Sequence, residues 1–250
     1  MVLYNFLLLL MIGHILGDFY FQTEKIAQKK DKKYTGVLQH SAEYLSAMLV
    51  VMIPVISLDM LLAAIYSSII HFIIDSAKYY LLKTKIISKS GKTFIIDQML
   101  HILSILILSY IIYCQSFKIS HISIIFDIFD SFGINKNLFL RWILCILILH
   151  IPTNILIQNL LTEHKPKEKN NNLIVIDNMA GRKIGSIERL IMLMFIAMNQ
   201  YAAMGLVLTA KSIARYDKIT KDERFAEYYL LGTLLSTASV VLCKILILQN

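Results

Sequence analysis

The chain has 250 residues, 57% of them hydrophobic, with only three prolines and nine glycines, and its mean hydropathy is +0.63. Soluble domains run at about 45–50% apolar residues, and here the apolar residues fall in blocks of about twenty, the length that crosses a bilayer as a helix. These figures argue against a soluble bundle and predict an all-α, polytopic integral membrane helical bundle. The net charge of +8 needs no nucleic acid, because basic loops beside anionic lipid account for it.

Seven spans are predicted in chain order: Val2–Phe21, Val37–Ser57, Asp59–Leu82 after a short turn near Pro54, Phe94–Tyr113, Leu138–Leu161, Arg189–Ala210 and Tyr228–Leu248. Residues 1–113 form a four-helix half and 138–250 a C-terminal helical half with basic loops. Between them, 114–137 reads as an amphipathic or interfacial connector, its apolar residues broken by His121, Asp127 and Asp130. The first run has no basic residue before Lys25 and no small-residue cleavage site, so it reads as a span and not as a cleaved signal. Cys114, Cys145 and Cys243 are widely spaced and form no CxxC pair, which argues against a disulfide or a thiolate metal site.

Basic stretches follow the first span (KIAQKKDKK), the third (KTKIISKSGK) and the fifth (HKPKEKNNN, GRK). By the positive-inside rule they are cytoplasmic and the N-terminus is outside, as expected for a bacterial cytoplasmic membrane protein. One stretch conflicts: AKSIARYDKITKDERFAE carries five Lys and Arg, yet simple alternation of seven spans puts it outside. Either the sixth segment is re-entrant or a hairpin, or the acidic neighbours blunt the signal.

Ionisable residues interrupt the first four spans at matched places. His14 and Asp18 are four apart, as are His71 and Asp75, and Asp97 and His101 in reverse order; His40 opens the second span. A spacing of four puts both side chains on one helical face, one turn apart. Because successive spans run in opposite directions, all seven fall within about 10–12 Å of one boundary, at a rise of about 1.5 Å per residue. Four helices should therefore bring four His and three Asp to one layer. Singly, each pair also reads as a polar residue tolerated at a helix end. Together, three carboxylates resist burial without a cation. One or two divalent ions (zinc, manganese or iron) suit this oxygen and imidazole set.

A metal held with one position open activates water or polarises a carbonyl or phosphoryl group. Near a cytoplasmic boundary that suits a lipid, a lipid-linked or other anionic substrate, or a membrane-proximal peptide bond. Glu43, beside His40, is a candidate general base, its plainer reading being a solvated interfacial carboxylate. Lys78 could neutralise a carboxylate or contact an anionic group, or simply snorkel. Gln22 and Gln98 could orient ligands. In the second half, Arg189, Lys211, Ser212 and Arg215 form a possible anion-binding set, against ion pairing of the cations with Glu188 or Glu227. Three functions are expected to compete: a metal-dependent hydrolase, an ion- or proton-coupled transporter or channel, and a non-catalytic membrane partner or sensor stapled by a closed metal site. No inverted repeat of the transporter kind is visible.

The motifs GHILGDFYFQ, HFIIDSAKYY, FIIDQMLH, AGRKIGSIERLI, TAKSIARYDK and FAEYYLLGTLLS resemble a family of bacterial integral membrane proteins designated domain of unknown function 3307. The resemblance covers nearly the whole chain and brings no activity with it. It implies that His14, Asp18, Gln22, His40, His71, Asp75, Lys78, Asp97, Gln98 and His101 occupy motif positions. It implies the same for Gly185, Glu188, Arg189, Lys211, Ser212, Arg215, Glu227, Tyr228, Gly232, Thr233 and Ser236. A weaker likeness, in motif style, is to membrane-bound metal-dependent hydrolases.

Overall fold

A computed structural model describes residues 2–55, 57–115, 129, 131–162 and 171–248. The connector positions His121, Asp127 and Asp130 lie outside the described residues. Among the described residues all regular structure is helical. In order, the helices are α1 (Val2–Ile15), continued by a π-helical turn at Leu16–Phe21, α2 (Glu24–Lys32), α3 (Tyr34–Met52), α4 (Leu58–Lys83), α5 (Gly91–Cys114), α6 (Lys136–Leu160), α7 (Asn171–Ala197), α8 (Tyr201–Ala214), α9 (Tyr216–Lys221) and α10 (Glu223–Leu246). Their starts follow the capping rule. Ser57, Ser90 and Asp222 accept hydrogen bonds from the backbone N–H groups of Met60, Thr93 and Phe225 at 3.2, 3.2 and 3.1 Å, so each satisfies a donor the helix leaves orphaned.

Two compact units divide the chain, Met1–Leu144 and Cys145–Asn250. In the first, α1, α3, α4 and α5 enclose an apolar core. It draws Phe6, Leu9 and Leu10 from α1, Met48 and Met52 from α3, Met60, Ala63 and Ala64 from α4, and Ile105, Leu108 and Ile112 from α5. On α1 and α4 the core residues precede the His/Asp pairs; on α3 and α5 they follow. The up-and-down course of the helices thus sorts apolar and polar residues into separate layers. The outward face is apolar as well, with Ile69, Ile73, Leu103 and Ile107 about half exposed. Buried ionisable groups with exposed aliphatic ones are what a helix bundle facing lipid requires.

Gly13 and Gly17 let α1 approach α3. A Cβ on Gly13 would stand 2.4 Å from Met48 Sδ, and one on Gly17 would stand 2.6 Å from the Tyr44 ring. Small residues four apart permit this close crossing. The segment KIAQKKDKK, expected as a basic loop, is in large part the helix α2, which packs on α3 and α4. Thr23 caps it, with its hydroxyl 3.4 Å from the Ile26 N–H.

Among the described residues, six helices are long and apolar enough to cross a membrane: Tyr4–Phe21 (including the π turn), Tyr34–Val55, Leu58–Lys83, Gly91–Cys114, Lys136–Leu160 and Glu223–Leu246. The expected sixth span, Arg189–Ala210, is broken in two between α7 and α8. Asn199 takes a left-handed conformation, with φ +59°. The Gln200 N–H then bonds Phe195 O at 2.8 Å and the Asn199 N–H bonds Ile196 O at 3.2 Å. This pair of bonds is a Schellman helix stop, and Asn is the usual non-glycine residue for it. α8 packs back on α7, the arrangement of the hairpin alternative, one of those the misplaced positive charge left open. Six crossings with a returning hairpin would put every Lys-rich linker on one side. In a chain freed of its own cysteines, Lys85→Cys, Lys183→Cys and Lys221→Cys should therefore react with an impermeant maleimide from the same side. Labelling of Lys183→Cys and Lys221→Cys from opposite sides would show that α7–α8 crosses.

Candidate metal centre

The polar layer of the first unit begins where α1 loosens. Asp18 sits inside the π-helical turn, which holds one residue more per turn than an α-helix and breaks the even stacking of side chains; such turns recur at functional sites. Asp18 is met by groups from three other helices. His71 Nε2 of α4 lies 2.8 Å from its Oδ1 and His40 Nε2 of α3 lies 3.1 Å from the same oxygen. The other oxygen, Oδ2, accepts a bond from Gln98 Nε2 of α5 at 3.2 Å. His14, one turn back on α1, stands 4.0 Å from Oδ2.

Asp75 is the second focus, and its side chain has no solvent exposure. His40 Nε2 is 3.5 Å away, His71 Nδ1 3.6 Å and His101 Nε2 3.7 Å. Asp97 adds a third carboxylate, 3.7 Å from His101 Nε2. All seven residues predicted to meet do meet, and six of them are buried outright, with the Asp18 side chain 5% exposed. Three triads can each offer ligand atoms within 4.8 Å of one another: His14–Asp18–His71, His40–His71–Asp75 and Asp75–Asp97–His101. They overlap through His71 and Asp75. The donor set also has free capacity: His14 Nε2, His71 Nδ1, both ring nitrogens of His101 and Asp75 Oδ1 are buried with no hydrogen-bond partner. Buried polar atoms are rarely left so, and imidazole nitrogens beside carboxylate oxygens fit a divalent ion.

Two lysines alter the charge argument made from sequence. Lys30 of α2 reaches in to Asp75 Oδ2 at 2.7 Å, and Lys78 of α4 lies 2.7 Å from Asp97 Oδ2. Two of the three carboxylates thus have a protein cation already. Burial works against the charged form of Lys30, and the Asp75 and Asp18 carboxylates outweigh it, raising its pKa above the ordinary lysine value. Lys78 binds a carboxylate, one of the roles expected for it. Lys30 carried no signal of its own among the five lysines that follow the first span.

Tyr44 is the other residue that sequence reasoning missed. Its ring stacks on His71 with centroids 3.7 Å apart, and His71 stacks in turn on His101 at 4.2 Å. The Tyr44 hydroxyl lies 3.4 Å from both His14 Nδ1 and Ser67 Oγ. This stack fixes the ring planes, which is how outer groups orient ligands. Its position four residues after His40 was the available clue.

Glu43 does not join the cluster through any hydrogen bond or ion pair among the described residues. Its Oε1 accepts a bond from Gln39 of the same helix at 3.5 Å, and its Oε2 is buried without a hydrogen-bond partner. Gln22 ends the π turn with an extended backbone, and no hydrogen bond joins its side chain to the cluster among the described residues. Gln98 does orient a candidate ligand.

In the second unit, Arg189 is buried. Its Nε donates to Leu149 O at 2.6 Å and its Nη2 to Asn154 Oδ1 at 2.7 Å. Lys211 pairs with Glu188 at 2.6 Å, as the plainer sequence reading had it. Ser212 donates to Leu208 O of its own helix at 2.9 Å.

No curated protein and no solved structure matches the chain. One family model does, and it ends before the second unit begins, so the motif positions from Gly185 to Ser236 lie outside the matched residues. That model, of a protein of unknown function designated DUF3307, spans residues 6–128, the stretch that holds all seven His and Asp residues of the cluster.

Proposed function

We propose that this protein is a membrane-embedded, metal-dependent hydrolase that acts on a lipid, lipid-linked or membrane-proximal substrate near the cytoplasmic face. His14, Asp18, His40, His71, Asp75, Asp97 and His101 hold one or two divalent ions. One observation carries the reading. Seven ligating groups from four helices converge in three overlapping triads, with several buried ring nitrogens unpartnered. A divalent ion there, with a position open, supplies Lewis acidity toward an ester, phosphoester or amide and makes water a better nucleophile. The chain's own residues do the rest. Gln98 holds Asp18, the Tyr44–His71–His101 stack sets the ring planes, and Lys30 and Lys78 offset carboxylate charge.

Full-length protein purified in detergent is expected to contain one or two equivalents of zinc, manganese or iron by elemental analysis. His71→Ala, which removes the imidazole shared by two triads, should lose at least one of them. Protein without stoichiometric metal, or an undiminished content in His71→Ala, overturns the proposal.

The lysine pairs favour one competing reading. With Lys30 on Asp75 and Lys78 on Asp97, the cluster also has the make-up of a proton or cation site, in which such pairs are common. Under it, proteoliposomes show an ion flux that Asp75→Asn abolishes, and purified protein carries no metal.

A further inference from the structure

Asp75 belongs to two of the three triads, and its two oxygens face different partners. Oδ1 lies 3.7 Å from His101 Nε2, and the same nitrogen lies 3.7 Å from Asp97 Oδ1. Oδ2 lies 3.5 Å from His40 Nε2 and 3.6 Å from His71 Nδ1. These separations exceed those of good hydrogen bonds. They suit shared coordination, because donors about 2.0–2.2 Å from a tetrahedral ion stand about 3.3–3.6 Å from one another. His101 Nε2, His71 Nδ1 and Asp75 Oδ1 are also among the buried atoms without a hydrogen-bond partner. Asp18 is met differently. His71 Nε2 reaches it at 2.8 Å, a hydrogen-bond length, and that bond leaves Nδ1 of the ring free on the Asp75 side. A carboxylate behind a ligating histidine has this arrangement.

The two lysines bear unequally on these places. Lys78 holds Asp97 Oδ2 and Lys30 holds Asp75 Oδ2, each at 2.7 Å. No lysine pairs with the Oδ1 atom of either carboxylate among the described residues. An ion can therefore join Asp75 Oδ1, Asp97 Oδ1 and His101 Nε2 with both lysines in place. The other place is blocked, because Lys30 sits on the oxygen that would serve His40 and His71. An ammonium and a divalent ion on one buried carboxylate oxygen repel each other strongly. Lys30 has a way out. Its side chain is 11% exposed, its stem is flexible, and its helix, α2, has no buried residue.

We propose that Asp75 bridges two divalent ions and that the Lys30 ammonium competes with one of them for its place. The proposal rests on the reading of the cluster as a metal centre, and adds to it the number of ions, their ligand atoms and a device that regulates loading. The ion on Oδ1 binds whether or not Lys30 is in place. The ion on Oδ2 binds only in molecules whose Lys30 has swung away, so its apparent affinity falls with the share of molecules that are open. His71 serves both ions. It offers Nδ1 to the second, and its ring stacks at 4.2 Å on His101, which holds the first.

The test uses full-length protein in detergent, stripped with a chelator and titrated with zinc, with bound ions counted by equilibrium dialysis and elemental analysis. Lys30→Met should tighten one zinc ion by about tenfold and leave the other within about twofold. Lys89→Met controls for general charge, since Lys89 is exposed and pairs with Asp31 of α2; it should change neither ion. A second measurement needs no variant. Saturating zinc should make Lys30 of the wild type about tenfold more reactive toward an amine-acetylating reagent, read by mass spectrometry, as its ammonium leaves Asp75. One zinc ion in wild type and two in Lys30→Met would support the proposal in its strongest form. Wild type that binds no zinc overturns the metal centre itself. Zinc binding in which Lys30→Met tightens neither ion, or both alike, overturns this proposal and leaves the metal centre standing. So does a single ion in both proteins, or a Lys30 reactivity that zinc does not change.

Discussion

Asp75→Asn should both empty the metal centre and destabilise the first unit. Asp75 lies in two of the three triads, so the substitution removes a charged oxygen from each. It also strands Lys30, whose ammonium sits 2.7 Å from the lost carboxylate with its side chain only 11% exposed. Removing one partner of a buried ion pair costs about 3–5 kcal/mol, because the other charge is left uncompensated. Elemental analysis should show loss of metal, and thermal unfolding in detergent should show a clear fall in midpoint. Adding Lys30→Met to Asp75→Asn removes the stranded charge, so it should recover much of the stability while the metal stays absent. A double variant no more stable than the single one would mean that Lys30 is not buried against Asp75. Wild-type metal content in Asp75→Asn would remove Asp75 from the ligand set.

Gly36→Ala should be the most damaging of the small substitutions. A Cβ at position 36 would lie 2.4 Å from Lys30 N, 2.5 Å from Lys29 C and 2.7 Å from Lys29 O. Every one of those atoms is backbone, so no side chain can swing aside and α2 itself must move. Gly36 is needed for space rather than for an unusual dihedral, as it lies within helix α3. Overpacking of this kind costs about 1–3 kcal/mol. Displacing α2 also draws Lys30 away from Asp75, so the loss should be smaller in a Lys30→Met background than in wild type. Equal losses in the two backgrounds would show that the close contact of α2 with α3 does not position Lys30.

The part of this structure that could be read from sequence is the part governed by period and direction. His14 with Asp18, His71 with Asp75, and Asp97 with His101 are paired by helical repeat. Their common depth follows from alternation of direction, which needs no knowledge of which helix touches which. The sequence did not reveal what depends on long-range approach. Lys30 is one of several lysines in a stretch where composition cannot say which one turns inward; a glycine six residues later, close against its backbone, decides it. The π turn at Leu16–Phe21 leaves no mark in an apolar run. The break at Asn199 occurs in MNQY, which has neither proline nor glycine, so the sixth segment read as continuous even though the charge of the following loop disagreed. Lys211 and Glu188 come together over 23 positions by packing of α8 against α7, a contact the sequence could offer only as one of two partners.

The placement of the cluster also bears on how the protein is made. Every group in it, from His14 to His101, belongs to the first 101 of 250 residues, and the helices that carry them end at Cys114. A ribosome feeding the membrane finishes those four helices before the second unit is made. The three carboxylates are made on separate helices, Asp18 at the end of α1, Asp75 on α4 and Asp97 on α5, each adding its own cost until the others arrive. Lys30 follows Asp18 by twelve positions and is synthesised well before Asp75, and Lys78 comes before Asp97. The lysines are therefore in place ahead of the aspartates they neutralise, so that these two carboxylates meet a waiting cation during assembly.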